Sequence, residues 1–361
     1  MKTVILYIGS MQKGGAQRVM SVLAKHLSDQ GHSIIMINDI KPIDKKPEYD
    51  LPKTISRVFL DVKGKSVIGK NIKRISRLRK IIKNEKPDCI LSFEGPPNIR
   101  MLLASIGLKG RKIVSVRNDP YFEYGHGIRK IVANCVFLLA NKCIFQTEEA
   151  SNYFVKEIRK KSSILFNPVG KVFYEYEWYG DTDTIVMVGR LEEQKNIGMA
   201  IEAIRIVKEQ INNIHLKIYG EGTQRDTLIQ QVEHLHLEGN IEFCGLVENV
   251  ATELSHAKCF ILTSDYEGMP NALMEAITIG VPAISTDCPC GGPKSLLIDE
   301  NGECAGLLIK CKDSLALAEK IIELIKNPDL QMFLHLREKE RSNAFRSERI
   351  LAKWDKVLFE N

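Results

Sequence analysis

Short apolar strands alternate with amphipathic helical stretches twice along this chain, with a break between the two runs, and this pattern constrains the fold more than any other feature. In the first run the strand candidates are residues 4–8, 34–37, 89–93, 112–116, 143–145 and 164–166. A helical period through Val19, Val22, Leu23 and Leu27 follows the first strand. Near Asn167-Pro168-Val169 the pattern stops, and the polar, aromatic stretch to residue 183 reads as a connection. It then restarts with strands at 185–188, 215–219, 241–243, 259–262, 282–285 and 306–309 and a helix around 272–279. Strand–helix alternation of this kind builds parallel βαβ units. The expected architecture is therefore α/β, with two doubly wound Rossmann-like domains over residues 1–166 and 167–344. A C-terminal helix at about 345–361 is assigned to pack back on the first domain. Such sheets bind ligands at the carboxyl ends of their strands, so the chemistry is expected in a cleft between the two.

Composition removes several classes. With 44% hydrophobic and 27% charged residues the chain is neither disordered nor collagen-like. No run reaches the roughly 18–20 apolar residues of a spanning helix, and the longest uncharged run, 131–141 between Lys130 and Lys142, suits a buried helix. Lys2 with apolar residues 4–8 imitates a signal peptide, but Gln12 and Lys13 come too soon, so the segment reads as a core strand. Nine cysteines without a CxxC pair fit reduced thiols and a cytoplasmic location.

The net charge of +6 conceals an asymmetry: residues 1–166 hold 31 Lys+Arg against 14 Asp+Glu, and the remainder holds 20 against 31. A basic first half admits nucleic acid, an anionic membrane or a phosphorylated ligand. No recognition helix, aromatic platform or zinc-finger pattern accompanies the charge, so nucleic acid is not expected as a partner.

Three motifs carry chemistry. Gly14-Gly15, between the first strand and first helix, lets backbone N–H groups approach a phosphate or sugar. Gly189-Arg190, followed by Lys195-Asn196, places two cations in one loop ahead of a helix, a metal-free diphosphate site. The third runs Asp265-Tyr266-Glu267-Gly268-Met269-Pro270-Asn271-Ala272-Leu273-Met274-Glu275. It sets Glu267 in a Gly/Pro loop and Glu275 on the following helix, and carboxylates accept hydrogen bonds from sugar hydroxyls.

Taken together, Glu267 and Glu275 in EX7E spacing, the Gly189-Arg190…Lys195 loop and Gly14-Gly15 resemble the retaining GT-B glycosyltransferases of family 4 over nearly the whole chain. The resemblance implies a GT-B fold and transfer of a hexose or N-acetylhexosamine, with retention, from a nucleotide diphosphate sugar, most often UDP-linked. It implies that Arg190 and Lys195 hold the diphosphate, Glu275 the ribose and Glu267 the donor sugar. The backbone of Gly268, Met269, Pro270 and Asn271 would help hold that sugar, with Gly14 and Gly15 closing over it. The acceptor is expected to be a lipid-linked or polysaccharide glycan. Many relatives carry a histidine in the first domain where this chain reads Val116-Arg117-Asn118-Asp119-Pro120. Arg117 or Asn118 is assigned that work, unless the role is not used. A nucleotide-sugar 2-epimerase on a similar fold is the rival enzyme, and it would need its own acid/base carboxylates.

Neither cofactor nor metal is expected. Asp181-Thr182-Asp183 spells a metal-diphosphate motif of another glycosyltransferase fold but lies in the connection, and Cys288-Pro289-Cys290 lacks the partners of a zinc site. Residues 287–293 are read instead as a glycine-bearing loop lining the site, and His126 as a surface residue. Finally, residues 63–86 pair a cationic face with Ile68, Ile72, Ile75, Leu78 and Ile82 at helical spacing. Lys70, Lys73, Arg74, Arg77 and Lys80 are assigned to peripheral docking on the inner, anionic face of a membrane.

Overall fold

The computed structural model describes residues 1–43, 47–299 and 301–360, which form two compact units. The first comprises Met1–Pro168 together with Glu348–Asn361, and the second Val169–Ser347. Among the described residues no helix is long and apolar enough to cross a membrane.

In chain order the first unit contains β1 (Thr3–Ile8), α1 (Gly15–Asp29), β2 (Ser33–Asn38), β3 (Ser56–Phe59), α2 (Val67–Glu85), β4 (Cys89–Phe93) and α3 (Gly95–Ala104). It continues with β5 (Arg111–Ser115), α4 (Pro120–Tyr124), α5 (Ile128–Phe137), β6 (Lys142–Phe145), α6 (Glu148–Asn152), α7 (Lys156–Arg159) and β7 (Ser162–Ile164). The strands form one parallel sheet in the order β3-β2-β1-β4-β5-β6-β7. Val4, Leu6, Ile8, Met36 and Leu91 pack against Val19, Leu23 and Leu27 of α1.

The second unit runs β8 (Thr184–Val188), α8 (Ile197–Lys208), β9 (His215–Tyr219), α9 (Arg225–His234), β10 (Ile241–Gly245), α10 (Val250–His256), β11 (Cys259–Leu262) and α11 (Asn271–Ile279). There follow β12 (Ala283–Thr286), α12 (Gly292–Leu297), β13 (Leu307–Ile309), α13 (Ser314–Lys326) and α14 (Pro328–Ser342), and the chain closes with α15 (Ser347–Phe359). This sheet is also parallel, in the order β10-β9-β8-β11-β12-β13. The two sheets share one topology, a 3-2-1-4-5-6 order, and the first adds β7 at its edge. Within the first unit α15 sends Ile350, Trp354 and Leu358 into the core, and Asp355 meets His26 of α1 at 3.0 Å.

Several sequence expectations are corrected. Strand β3, with no buried residue, carries too weak a pattern to announce itself, and β7 lies two residues before the expected 164–166. The run 131–141 is not a buried helix: α5 ends at Phe137, and Ile131 (59%), Val132 (53%), Leu138 (48%) and Leu139 (44%) are exposed. In α2 only Leu78 and Ile82 are buried, while Val67, Ile68 and Ile72 face solvent. Two of the docking cations also have internal duties: Arg74 lies 3.6 Å from Asp39, and Arg77 donates to the Leu60 and Asp61 carbonyls. Lys73 and Lys80 remain exposed and Lys70 half-buried. The polar stretch before β8 is tied to the second unit, where Trp178 donates to Ala257 O (2.7 Å) and Asp181 pairs with His256 (2.9 Å).

Candidate active site

In the second unit the first, fourth and fifth strands deliver their loops to one edge. Gly189 ends β8, and the side chain of Lys195 lies over it, since a Cβ on Gly189 would stand 3.3 Å from Lys195 Cε. Lys195 forms an ion pair with Glu267, which also accepts from the Ser264 hydroxyl at 2.7 Å. The β8 and β11 loops are further joined by Asn196 donating to Asp265 (2.9 Å) and by Gln194 donating to the Tyr266 carbonyl (2.7 Å). Arg190 is exposed and its side chain makes no hydrogen bond or ion pair among the described residues. One cation is thus held by a carboxylate and the other is available to an anion.

Close backbone approaches shape this edge. A Cβ on Gly292 would fall 1.9 Å from the Gly268 carbonyl, and one on Gly220 (φ +145°) 1.8 Å from that of Gly189. Only glycine at 292 lets the 287–293 loop lie against Gly268. The Ser264 carbonyl accepts from Thr286 (2.6 Å) and from the Cys288 thiol (3.2 Å), whose pKa burial pushes up, so the sulfur stays a protonated donor. Gly268, Met269 and Pro270 are buried, and Asn271 opens α11. Pro270 caps α11 without a side-chain hydrogen bond, Ala272, Leu273, Met274 and Ala276 are strong helix formers, and Gly280 at φ +86° stops the helix. Glu275 lies within α11 and is 5% exposed.

In the first unit the matching edge holds Gly14 and Gly15 at the start of α1, Glu94 after β4, and Arg117, Asn118 and Asp119 after β5. Arg117 is buried, packs its guanidinium over Phe93 at 4.5 Å, and donates to Asn167 (2.5 Å). Burial lowers its pKa to about 9. It positions Asn167 and Phe93 and is not offered to a ligand, which corrects the assignment of Arg117 to the family's histidine role. Asn118 is partly exposed and makes no side-chain hydrogen bond among the described residues. His126 is exposed and stacks on Tyr121.

Two groups at this edge escape sequence reading. Glu94 sits at φ 73°, ψ 155°, unusual for a residue with a side chain, and accepts from the Gln17 amide at 2.8 Å. Glu123 has its Oε2 buried without a hydrogen-bond partner, and burial, then the charge of Glu94, raises its carboxyl to about 8. The signal for Glu94 was its place at a strand end just ahead of Gly95-Pro96-Pro97.

Residues 13–170 match the family model "Glycosyltransferase Family 4", and residues 171–344 match "Glycosyl transferases group 1". A Campylobacter jejuni protein named GalNAc-alpha-(1->4)-GalNAc-alpha-(1->3)-diNAcBac-PP-undecaprenol alpha-1,4-N-acetyl-D-galactosaminyltransferase is 26% identical over 100% of this chain and 99% of its own. The amylovoran biosynthesis glycosyltransferase AmsD of Erwinia amylovora is 24% identical over 99% of both. Among solved structures, Anabaena HepE in complex with UDP superposes with a TM-score of 0.80 at 16% identity, covering 99% of each chain. The sucrose-phosphate synthase of Thermosynechococcus elongatus gives 0.82 at 16% identity over 99% of this chain and 98% of its own.

Proposed function

Since the chain belongs to the GT-B glycosyltransferases, with a family 4 domain followed by a group 1 domain, we propose that it moves a hexose or N-acetylhexosamine from a UDP-sugar to a lipid-linked glycan, with retention and without a metal. The observation that carries this reading is the Arg190 side chain, without a partner among the described residues, beside the Lys195–Glu267 pair at the carboxyl edge of the second sheet. Arg190 takes the diphosphate bidentately, and Lys195, released in part from Glu267, adds a second charge as the leaving group forms. Electrostatic stabilisation of that kind is usually the largest catalytic term. Glu267 then turns to the donor-sugar hydroxyls, and Glu275 binds the ribose. The leaving phosphate takes the acceptor proton on the face it departs from.

UDP as the nucleotide is supported by the UDP held in the HepE structure, and the lipid-linked acceptor by the undecaprenol-diphosphate named for the Campylobacter relative. Peripheral attachment to an anionic cytoplasmic membrane surface completes the reading. Its support is the charge excess of residues 1–166 with exposed Lys73 and Lys80, next to exposed Val67, Ile68 and Ile72. The test is a screen of UDP- and GDP-sugars for nucleotide release with and without glycan acceptors, run in EDTA and again with Mn²⁺. Acceptor-dependent UDP release undiminished by EDTA supports the proposal. Release only with Mn²⁺, or only of GDP, overturns the corresponding part.

A further inference from the structure

The end of β4 repeats the end of β11. Glu94-Gly95-Pro96-Pro97-Asn98 and Glu267-Gly268-Met269-Pro270-Asn271 share Glu, Gly, Pro and Asn in register. The match extends to an aromatic residue one place earlier (Phe93, Tyr266) and a methionine seven places after the glutamate (Met101, Met274). The two segments also occupy one place in the fold. Strands β4 and β11 are each the fourth of their sheet, paired to the first strand on the side away from the second. In each unit, moreover, the glutamate carboxylate is held by a side chain that follows the first strand: Gln17 donates to Glu94 at 2.8 Å, and Lys195 pairs with Glu267. The Glu94 carboxylate lies beside the end of β1, where a Cβ on Gly9 would be 3.7 Å from its Oε2.

We infer that Glu94 is the acceptor-binding counterpart of Glu267: its carboxylate receives a hydrogen bond from a hydroxyl of the glycan acceptor and fixes that sugar at the edge of the first domain. The inference rests on the transferase reading above and adds the acceptor contact to it. Gln17 stands where Lys195 stands, so this edge lacks the cation pair that grips a diphosphate. The neighbouring Glu123, whose buried Oε2 has no hydrogen-bond partner, keeps its proton there and so can donate as well as accept. An ionised carboxylate only accepts hydrogen bonds, and a protonated one also donates. The pair therefore suits hydroxyls, not the phosphates of a lipid diphosphate. The φ of 73° at Glu94 is a conformation that glycine would hold without strain, yet a glutamate occupies it.

The experiment compares wild type, Glu94→Gln and Glu94→Gly in three measurements: transfer to acceptor, acceptor-independent hydrolysis of the UDP-sugar, and UDP affinity by calorimetry. Both variants should lose about tenfold or more in kcat/KM for the acceptor, while hydrolysis and UDP affinity hold. Glu94→Gly should in addition raise Tm by relieving the backbone. If acceptor kcat/KM stays within about twofold of wild type in both folded variants, or falls only together with hydrolysis and UDP affinity, Glu94 is not the acceptor contact. If wild type itself transfers to no glycan, the transferase reading falls and this inference with it.

Discussion

Lys195 and Glu267 stand 72 residues apart in sequence and form an ion pair that ties the loop after β8 to the loop after β11. Both side chains are largely buried, at 14% and 9% exposure, and the Ser264 hydroxyl shares the same carboxylate oxygen. A carboxylate and an ammonium out of water are stable only while each has its partner. In the proposed donor site, a diphosphate and a donor sugar would have to compete with this pair for Lys195 and Glu267.

Removing one partner should cost more than removing both. Lys195→Met leaves Glu267 with Ser264 alone, and Glu267→Gln leaves a buried ammonium facing an amide. Each should destabilise the fold by about 2–3 kcal/mol, below the roughly 3–5 kcal/mol for a fully buried pair because both groups keep some solvent. Urea titrations of the two single variants and the double should show the double variant losing less stability than either single variant. An additive result would mean the pair is not coupled.

The two glutamates should divide their effects. Glu275→Ala should weaken UDP itself if, as proposed, Glu275 binds the ribose. Glu267→Ala should spare UDP affinity while cutting turnover. Calorimetry showing wild-type UDP affinity for Glu275→Ala contradicts the division.

The membrane reading shifts with the structure. Arg74 and Arg77 are occupied inside the first unit, so changing them would test stability as much as docking. The cleaner variant takes Lys70, Lys73 and Lys80 to Gln. At about 1 kcal/mol per basic residue near an anionic surface, binding to anionic vesicles should fall by roughly 100-fold and wild-type binding should fade at high salt. Equal sedimentation of both proteins with anionic and neutral vesicles would remove the electrostatic model.

Two buried carboxyls set a pH dependence of stability. Glu338 is fully buried, accepts from the Ala283 amide at 2.9 Å and leaves its second oxygen unpartnered, so burial raises its pKa well above the usual range. Glu123 is raised to about 8. In both cases the folded chain keeps a proton that the unfolded chain has released. Stability should thus fall as pH rises from about 4.5 toward 8, the direction set by the excess protons on the native state. Glu338→Gln and Glu123→Gln should flatten that slope and match wild type most closely near pH 4. A wild-type stability that rises across this window, with no change in the variants, would contradict the assignment.

How far the sequence carried can be read from particular residues. Strands such as β1 and β4 were legible because they lie inside a parallel sheet, covered on both faces, and so read as continuous apolar runs. Strand β3, at the sheet edge, had no such run. The Arg190–Lys195 loop and Glu267 were legible because a glycine or proline beside a charge at a strand end is local information. The pairing of Lys195 with Glu267 was not, because only the sheet order brings β8 beside β11. The apolar stripe of α2 had the right period for burial, yet Ile68 and Ile72, in its first two turns, stay exposed, and only Leu78 and Ile82 are buried. The duplicated Glu-Gly-x-Pro-Asn was present in the letters, and its meaning depended on β4 and β11 holding the same position.

The most direct test of the donor site is kcat/KM for transfer from the UDP-sugar by wild type and Arg190→Ala. The Arg190 side chain is exposed and without a hydrogen bond or ion pair among the described residues, so its removal should leave Tm unchanged. The loss of one charged hydrogen-bonding group to the diphosphate should lower kcat/KM by about 10- to 150-fold, corresponding to about 1.5–3 kcal/mol. A folded Arg190→Ala protein with wild-type kcat/KM would show that the diphosphate is not held here.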